Sequence, residues 1–512
     1  MNGEIAMTDE VQARLAGVAL PPGAEPFAGV FAHAPHLATR EAKYRRKRCA
    51  NLEDAVRRSG LKSGMTVSFH HAFREGDKTI NTVVACLASM GFRDLTLAAS
   101  SLLSCNTPLI EHIRSGVIRR IYTSGMRGKL AEAISNGLMD EPINIHSHGG
   151  RVNLMDRGEL QIDVAFLGVS TSDEFGNANG TSGRSRCGSL GYAMVDADRA
   201  AKVVLLAETI VPFPNTPASI RQDQVDFVVE FGEIGDPSKI SIGAARITSD
   251  PRELLIARFA ADVMEHSGYF EEGFSMQTGS GASSTATATF LATRMEKKGI
   301  KAAFALGGIT GGIVDLHRRG LIGKIFDTQS FDAVAAESLR TDPEHFEIST
   351  NAYANLTSKG AYCDRVDMVI LSALEIDLGF NVNVITGSDG VMRGASGGHS
   401  DAAAGANLPI VVAPLIRSRI PTVVSRCTTV VTPGETVGVL VTDHGIAVNP
   451  NRPDLAARLK KAGLPVFTIE ALHERAMSLT GEPQPIAFLD KVVGLIRYRD
   501  GSLIDVVRQI KG

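Results

Sequence analysis

Tryptophan is absent from the 512 residues, and aromatic residues make up only 5% of the chain. That scarcity argues against a platform for stacking bases or sugars, which is built from aromatic faces. Cysteine is also sparse. Cys49, Cys86, Cys105, Cys187, Cys363 and Cys427 include no C-x-x-C pair, so neither a zinc ribbon nor a disulfide scaffold is expected, and reduced cytosolic thiols are. No sign of charge dominates. At a net −3 the chain has no overall attraction to nucleic acid. No apolar run reaches the roughly 18–20 residues of a membrane span. The opening MNGEIAMTDEVQARLAG lacks the basic start and apolar segment of a secretory leader. A soluble cytoplasmic protein with neither a membrane nor a nucleic-acid partner is the expectation.

What the chain has in excess is glycine, 51 residues, which suits turns with positive φ and backbone lying close to a ligand. Its length predicts two or more domains. Residues 1–40 read as an N-terminal arm carrying PPGAEP. The basic run Arg45–Arg48 precedes a helix around Leu52, Ala55 and Val56, capped by Gly60. From Met65, short apolar runs (MTVSF, DLTLAAS, RRIYTSG, INIHSH, DVAFLGV) alternate with helical patterns, and the second half does the same (FSMQTG, AAFAL, GKIFDT, MVILSAL). Such alternation predicts parallel βαβ units and an α/β fold.

The halves also match each other. Asp173, Asn177 and Asn179 share a D-x-x-x-N-x-N spacing with Asp377, Asn381 and Asn383, 204 residues later, and GVIRRIY at 116–122 matches GLIGKIF at 320–326 with the same offset. A tandem duplication is the economical reading. It gives a first domain over 41–230 and a second over 245–512, with SDPRELL opening a helix just past the seam.

Four stretches could carry chemistry. MQTGSGASS places Gln277, Thr278, Gly279, Ser280 and Gly281 at a strand-to-helix turn, where backbone N–H groups can hold an anion or a thioester oxyanion. ALGGITGGIVD puts Thr310, Gly311 and Gly312 at a second such turn, at the end of a parallel strand where these folds bind ligands. The run from Asn381 and Asn383 to Ala406 is dense in small and polar residues, with Arg393, Ser396, Gly397, Gly398, His399 and Asp401 suited to a polyanionic substrate. NIHSHGGRVN carries the H-x-H pair His146 and His148, a metal-ligand spacing, but without a rhythm of later ligands a pocket role for Gly149, Gly150 and Arg151 is the stronger reading. His70 and His71 end another strand, with pocket and packing roles both open.

NLEDAVRRSGLKSGMTVSFHHAFREGD, IYTSGMRGKLAE, IHSHGGRVNL, VAFLGVSTSDEFGNANG, GFSMQTGSGA, LSALEIDLGFNVN and TDHGIAVNPNRPDL together resemble the citrate lyase alpha subunit family, from about residue 40 onward. The resemblance implies two tandem CoA-transferase-type (NagB/RpiA-like) open parallel-sheet domains and a citrate CoA-transferase. Acetyl-carrier plus citrate would give citryl-carrier plus acetate. It implies a beta (citryl lyase) subunit, a gamma acyl-carrier subunit with a phosphoribosyl-dephospho-CoA arm that acetyl-CoA can replace, no metal, and an oligomer.

CoA-transferases at large carry a nucleophilic Glu where LGGITGGIV has Gly311, so the resemblance implies direct attack by citrate's own carboxylate, without a glutamyl-enzyme intermediate. On this reading Gly279, Gly281 and Thr310–Gly312 serve the oxyanion and the reacting thioester. Gln277, Thr278, Ser280, Asn381 and Asn383 serve its carrier arm. Arg393 and Ser396–His399, with His70, His71 and Arg151, serve citrate. Glu375 is the nearest surviving carboxylate and reads as hydrogen-bonding support. A Glu-dependent acetate or succinate CoA-transferase is the alternative, followed by a metal-dependent hydrolase on His146 and His148 and by a non-catalytic scaffold.

Overall fold

The structure is a computed structural model that describes residues 12–29, 32, 47–240, 248–279 and 281–511. The expected roles of Arg45, Arg46 and Ser280, and part of the seam before 248, lie outside the described residues. Met1–Arg48 and Cys49–Gly512 form separate compact units. In the first, Gln12 Nε2 donates to the Phe27 carbonyl at 2.8 Å.

The larger unit is mixed α/β, built on two mainly parallel sheets. The first contains β1 (Thr66–Phe69), β2 (Leu95–Ala99), β3 (Ile118–Thr123), β4 (Ile143–Ile145), β5 (Val164–Ser172), β6 (Lys202–Ile210) and β7 (Phe227–Glu230). The second contains β8 (Ser275–Thr278), β9 (Ala302–Ile309), β10 (Ile322–Ser330), β11 (His345–Glu347), β12 (Met368–Ser372), β13 (Leu408–Val412) and β14 (Val439–Thr442). Their orders are β4-β3-β2-β1-β5-β6-β7 and β11-β10-β9-β8-β12-β13-β14, the same path in both. Every neighbouring pair in these two series is parallel.

Helices cover both faces, so the central strands are buried on both sides and read as continuous apolar runs. In the second sheet Ile370, Ile410 and Val412 join one core cluster, while Val369, Leu371 and Val411 join another. That division follows from the two-residue period of a strand. The helices that matter below are α1 (Leu52–Ser59), α2 (His148–Asp156), α3 (Gly191–Arg199), α4 (Pro251–His266), α5 (Ala282–Lys298), α6 (Gly311–Arg318) and α7 (His399–Gly405). Gly60 ends α1 in the left-handed conformation at φ 72°, and Asp250 caps α4 by accepting from the Arg252 N–H at 2.9 Å.

The twin D-x-x-x-N-x-N elements fold alike. Asp173 Oδ1 accepts from the N–H groups of Phe175, Gly176 and Asn177 at 3.0, 2.9 and 3.0 Å, and Asp377 Oδ1 from Gly379 and Asn381 at 2.9 and 3.0 Å. Asn179 Oδ1 takes the next two N–H groups, Thr181 and Ser182, as Asn383 Oδ1 takes Ile385 and Thr386. The strand partners also correspond, Thr171 opposite Asn179 and Glu375 opposite Asn383.

One expectation needs correction. The stretch 245–512 does not stay with the second sheet. Its last hairpin, β15 (Phe488–Arg497) and β16 (Leu503–Ile510), crosses back and pairs Gly494 with Ile143 of β4. The hairpin closes an edge that would otherwise leave unpaired backbone groups exposed.

Candidate active site

The carboxyl ends of the two sheets' strands meet, and the 384–398 loop joins them. The Met126 N–H donates to the Gly394 carbonyl at 3.1 Å, Ser396 N–H to the Ser124 carbonyl at 2.7 Å, and His148 N–H to the Gly397 carbonyl at 2.8 Å. Asp401, in α7, accepts from the Ser147 hydroxyl and the Gly149 N–H of α2, both at 2.8 Å. Such approach explains the glycines. A Cβ at Gly125 would lie 2.2 Å from Ala395 Cα, and one at Gly394 2.0 Å from the Val384 carbonyl oxygen.

Around this seam polar side chains from both sheets converge. His71 and His148 each pack edge-on against Tyr192 of α3, with ring centroids 5.2 and 4.7 Å apart. His71 Nδ1 is hydrogen-bonded to the Ser100 hydroxyl, and Gln329 Nε2 from β10 reaches the His71 carbonyl at 3.5 Å. Gln277 Nε2 donates to the Tyr353 hydroxyl at 2.9 Å. Burial pushes His148 down to about 3, and His71 well below its ordinary value, with the Arg74 charge acting in the same direction. Both rings are therefore neutral at pH 7.

Several of these groups are buried without a partner among the described residues: the hydroxyls of Ser124, Ser396, Tyr192 and Thr310, Gln277 Oε1 and His148 Nδ1. Buried polar atoms are normally paired, so these unpartnered atoms make the seam the candidate place for polar ligand atoms. A cavity of about 10 Å³ at His70, Tyr192 and Gln329 opens there, enough for about one water. A cavity of about 260 Å³ lies elsewhere, between residues 426–430 and the C-terminal hairpin.

The expected site residues fall into two groups. Ser396, Gly397 and Gly398 are at the seam, with His71, Gln277 and Thr310. His399 starts α7, where its Nε2 donates to the Ser372 carbonyl at 3.0 Å and its Nδ1 accepts from the Thr432 hydroxyl at 2.7 Å. His70 is likewise satisfied, its Nε2 donating to the Gly168 carbonyl at 2.8 Å. Thr278 ends β8 and is buried. The Gly279 N–H is committed to the Ile370 carbonyl at 2.9 Å and the Gly311 N–H to Asp332 Oδ2 at 2.7 Å. Gly281 and Gly312 stand at the starts of α5 and α6.

The second group is directed elsewhere. Arg151 is 1% exposed and puts Nη2 2.8 Å from both Asp196 carboxylate oxygens. Arg393 is half-exposed and pairs with Asp389, four residues back on its own loop. Asn381 and Asn383 spend their side chains on the turn: Asn381 Nδ2 donates to Asp377, and Asn383 Nδ2 to Glu375 Oε2 at 2.8 Å. Glu375 also accepts from the Thr428 N–H and hydroxyl, at 2.8 and 3.0 Å.

Tyr192, Tyr353, Ser100 and Ser124 were not foreseen. A signal existed for Tyr192, which follows the glycine-bracketed CGSLG. Among the described residues no group of three or more His, Cys, Asp or Glu could hold a metal ion. His146 is fully buried with its Nδ1 3.0 Å from the Ser147 carbonyl. No helix of the described residues is long and apolar enough to cross a membrane.

The family model for the citrate lyase alpha subunit (CitF) matches residues 45–510. The citrate lyase alpha chain of Klebsiella pneumoniae is 65% identical over 96% of this chain and 97% of its own length. A solved structure described as the citrate lyase alpha subunit of Streptococcus mutans in complex with citrate superposes with a TM-score of 0.90 at 52% identity, covering 91% of this chain and 92% of that one. The malonate decarboxylase alpha subunit of Acinetobacter baumannii, 15% identical with a TM-score of 0.63 over 86% of this chain and 96% of that one, shares the fold.

Proposed function

The chain belongs to the citrate lyase alpha subunit family, and on that premise we propose that it exchanges acetate for citrate on an acyl-carrier thioester by direct attack of citrate. A citrate carboxylate oxygen adds to the acetyl carbonyl, the C–S bond breaks and the thiolate leaves. The thiolate then adds to the citryl carbonyl of the mixed anhydride, and acetate departs carrying one oxygen from citrate. The thioester arm comes from a gamma carrier subunit or from acetyl-CoA, and a beta subunit cleaves the citryl product.

The observation that carries this reading is that the position of attack implied by the family resemblance carries no carboxylate side chain. Residue 311 is glycine. The nearest acid, Asp332, holds the Gly311 N–H through Oδ2 at 2.7 Å and caps the following helix through Oδ1, 2.9 Å from the Ala335 N–H. Glu375 and Asp401 are each tied by two or more hydrogen bonds. Catalysis then rests on proximity and on preorganised donors. With the Gly279 and Gly311 N–H groups committed, the first turns of α5 and α6 at Gly281 and Gly312 are left to meet developing negative charge. The unpartnered Ser396 hydroxyl and Gln277 amide oxygen offer polar contacts to citrate and the carrier arm.

Tandem duplication belongs to the same proposal. Its support is the shared strand order, the Thr171–Asn179 and Glu375–Asn383 registers at one 204-residue offset, and the twin aspartate turns. It makes the site a joint product of two copies of one fold, each supplying strand ends. The functional test is an assay with acetyl-CoA, with and without citrate, following acetate and citryl-CoA. Acetate release that requires citrate supports the proposal; equal release without it contradicts the proposal.

A further inference from the structure

Arg74 follows β1 at the seam and is held in an unfavourable backbone conformation. Its φ is 53°, in a region that non-glycine residues seldom enter, and Asp94, Phe380 and Ser418 are the other non-glycine residues there among those described. For an arginine, which has no short side-chain acceptor to bond its own backbone, that conformation is strained. The surroundings hold it there: the Arg74 N–H donates to the His71 carbonyl at 3.0 Å, and the Gly76 N–H to that of Phe73 at 3.0 Å.

The side chain is also directed. Its guanidinium lies over the Phe331 ring, 4.4 Å from the centroid. Phe331 follows β10 of the other sheet and packs so tightly on Gly308 that a Cβ there would lie 2.1 Å from Phe331 Cζ. The guanidinium thus rests on a fixed aromatic plate spanning the seam. Yet Nε and Nη2 are buried with neither a hydrogen-bond nor a carboxylate partner among the described residues. Arg127, the exposed residue before the helix Gly128–Ser135, adds a second positive charge nearby. Burial pushes Arg74 down to about 10; the Arg127 charge acts in the same direction, while Asp332 and Asp327 counter it.

A cation whose buried donors are unpaired is costly, a second cation beside it adds to the cost, and the Asp332 and Asp327 charges offset this only in part. Both costs are relieved when an anion enters. We propose that Arg74, assisted by Arg127, is the clamp for a carboxylate of the tricarboxylate acceptor. The guanidinium's planar donors suit a carboxylate, and the Phe331 plate fixes their direction. This assignment rests on the functional reading above. It moves the acceptor's charge recognition from Arg393, already paired with Asp389, to the loop after β1. The phosphates of the thioester arm have related chemistry, and the experiment separates them from the carboxylate.

Two variants suffice. Arg74→Gly removes the guanidinium while suiting the positive φ, so it keeps the fold; Arg74→Lys keeps a charge without the fork. Citrate binding is measured by calorimetry without acyl donor, and KM for citrate and for acetyl-CoA are measured separately. The expected result for Arg74→Gly is citrate binding weakened about 10- to 100-fold with a matching rise in citrate KM, an unchanged acetyl-CoA KM, and partial recovery in Arg74→Lys. Unchanged citrate binding in Arg74→Gly, or a loss confined to acetyl-CoA, overturns the carboxylate clamp while wild-type turnover leaves the functional reading standing. Wild-type protein that neither binds nor turns over citrate overturns both.

Discussion

Ser396 and Ser124 join the two sheets through backbone alone: the Ser396 N–H donates to the Ser124 carbonyl at 2.7 Å, while both hydroxyls are buried and unpartnered. A hydroxyl that bonds nothing adds little to stability, so its reason for being there is sought in the ligand. Ser396→Ala is expected to change unfolding free energy by less than about 1 kcal/mol and to raise citrate KM about tenfold, the worth of a hydrogen bond to a charged group. Denaturant melts and citrate titrations of the variant check both numbers.

Glu375 is bonded by Asn383 and by both donors of Thr428, which makes it a support for the loop. Glu375→Gln is expected to lower stability by about 1–2 kcal/mol and to leave kcat at the wild-type order of magnitude. A hidden nucleophile would instead lose about a thousandfold or more in kcat with folding intact.

Buried histidines give the protein an acid limit. His70 and His399 are both pushed down by burial from 6.5 to about 4. Their folded values lie below the unfolded one, so the stability they contribute is complete above about 6.5 and is lost as pH falls towards 4. Asp401 runs the other way. Burial raises it from 3.8 to about 6, so its contribution is present below 3.8 and lost as pH rises through 6. Urea melts between pH 4 and 7 should show falling stability on acidification, a shallower slope in His70→Asn, and a steeper one in Asp401→Asn.

The strands and the turn twins were legible in the sequence because their signals are local. MVIL and VAFLGV are continuous apolar runs of the kind buried on both faces, and the D-x-x-x-N-x-N spacing carries its own hydrogen bonds. The return of the last hairpin was not legible, since the pairing of Gly494 with Ile143 joins residues far apart and leaves no periodic trace. The arginines divide by the same rule. Asp389 sits four residues from Arg393 and could have been read as its partner, whereas Asp196, which holds Arg151, and Phe331, which holds Arg74, come from distant parts of the chain. Of the seam itself, the glycine-rich loop was visible. Tyr192, Tyr353 and Ser124 gain their meaning only where the sheets meet.

The central claim is that citrate's own carboxylate attacks the thioester. A single turnover of acetyl-CoA with citrate labelled in its carboxylates with heavy oxygen tests it most directly, by mass spectrometry of the released acetate. Direct attack predicts that acetate from the first turnover carries one oxygen from citrate. Unlabelled first-turnover acetate, with label recovered on an enzyme carboxylate, would contradict the account and restore a glutamyl or aspartyl intermediate.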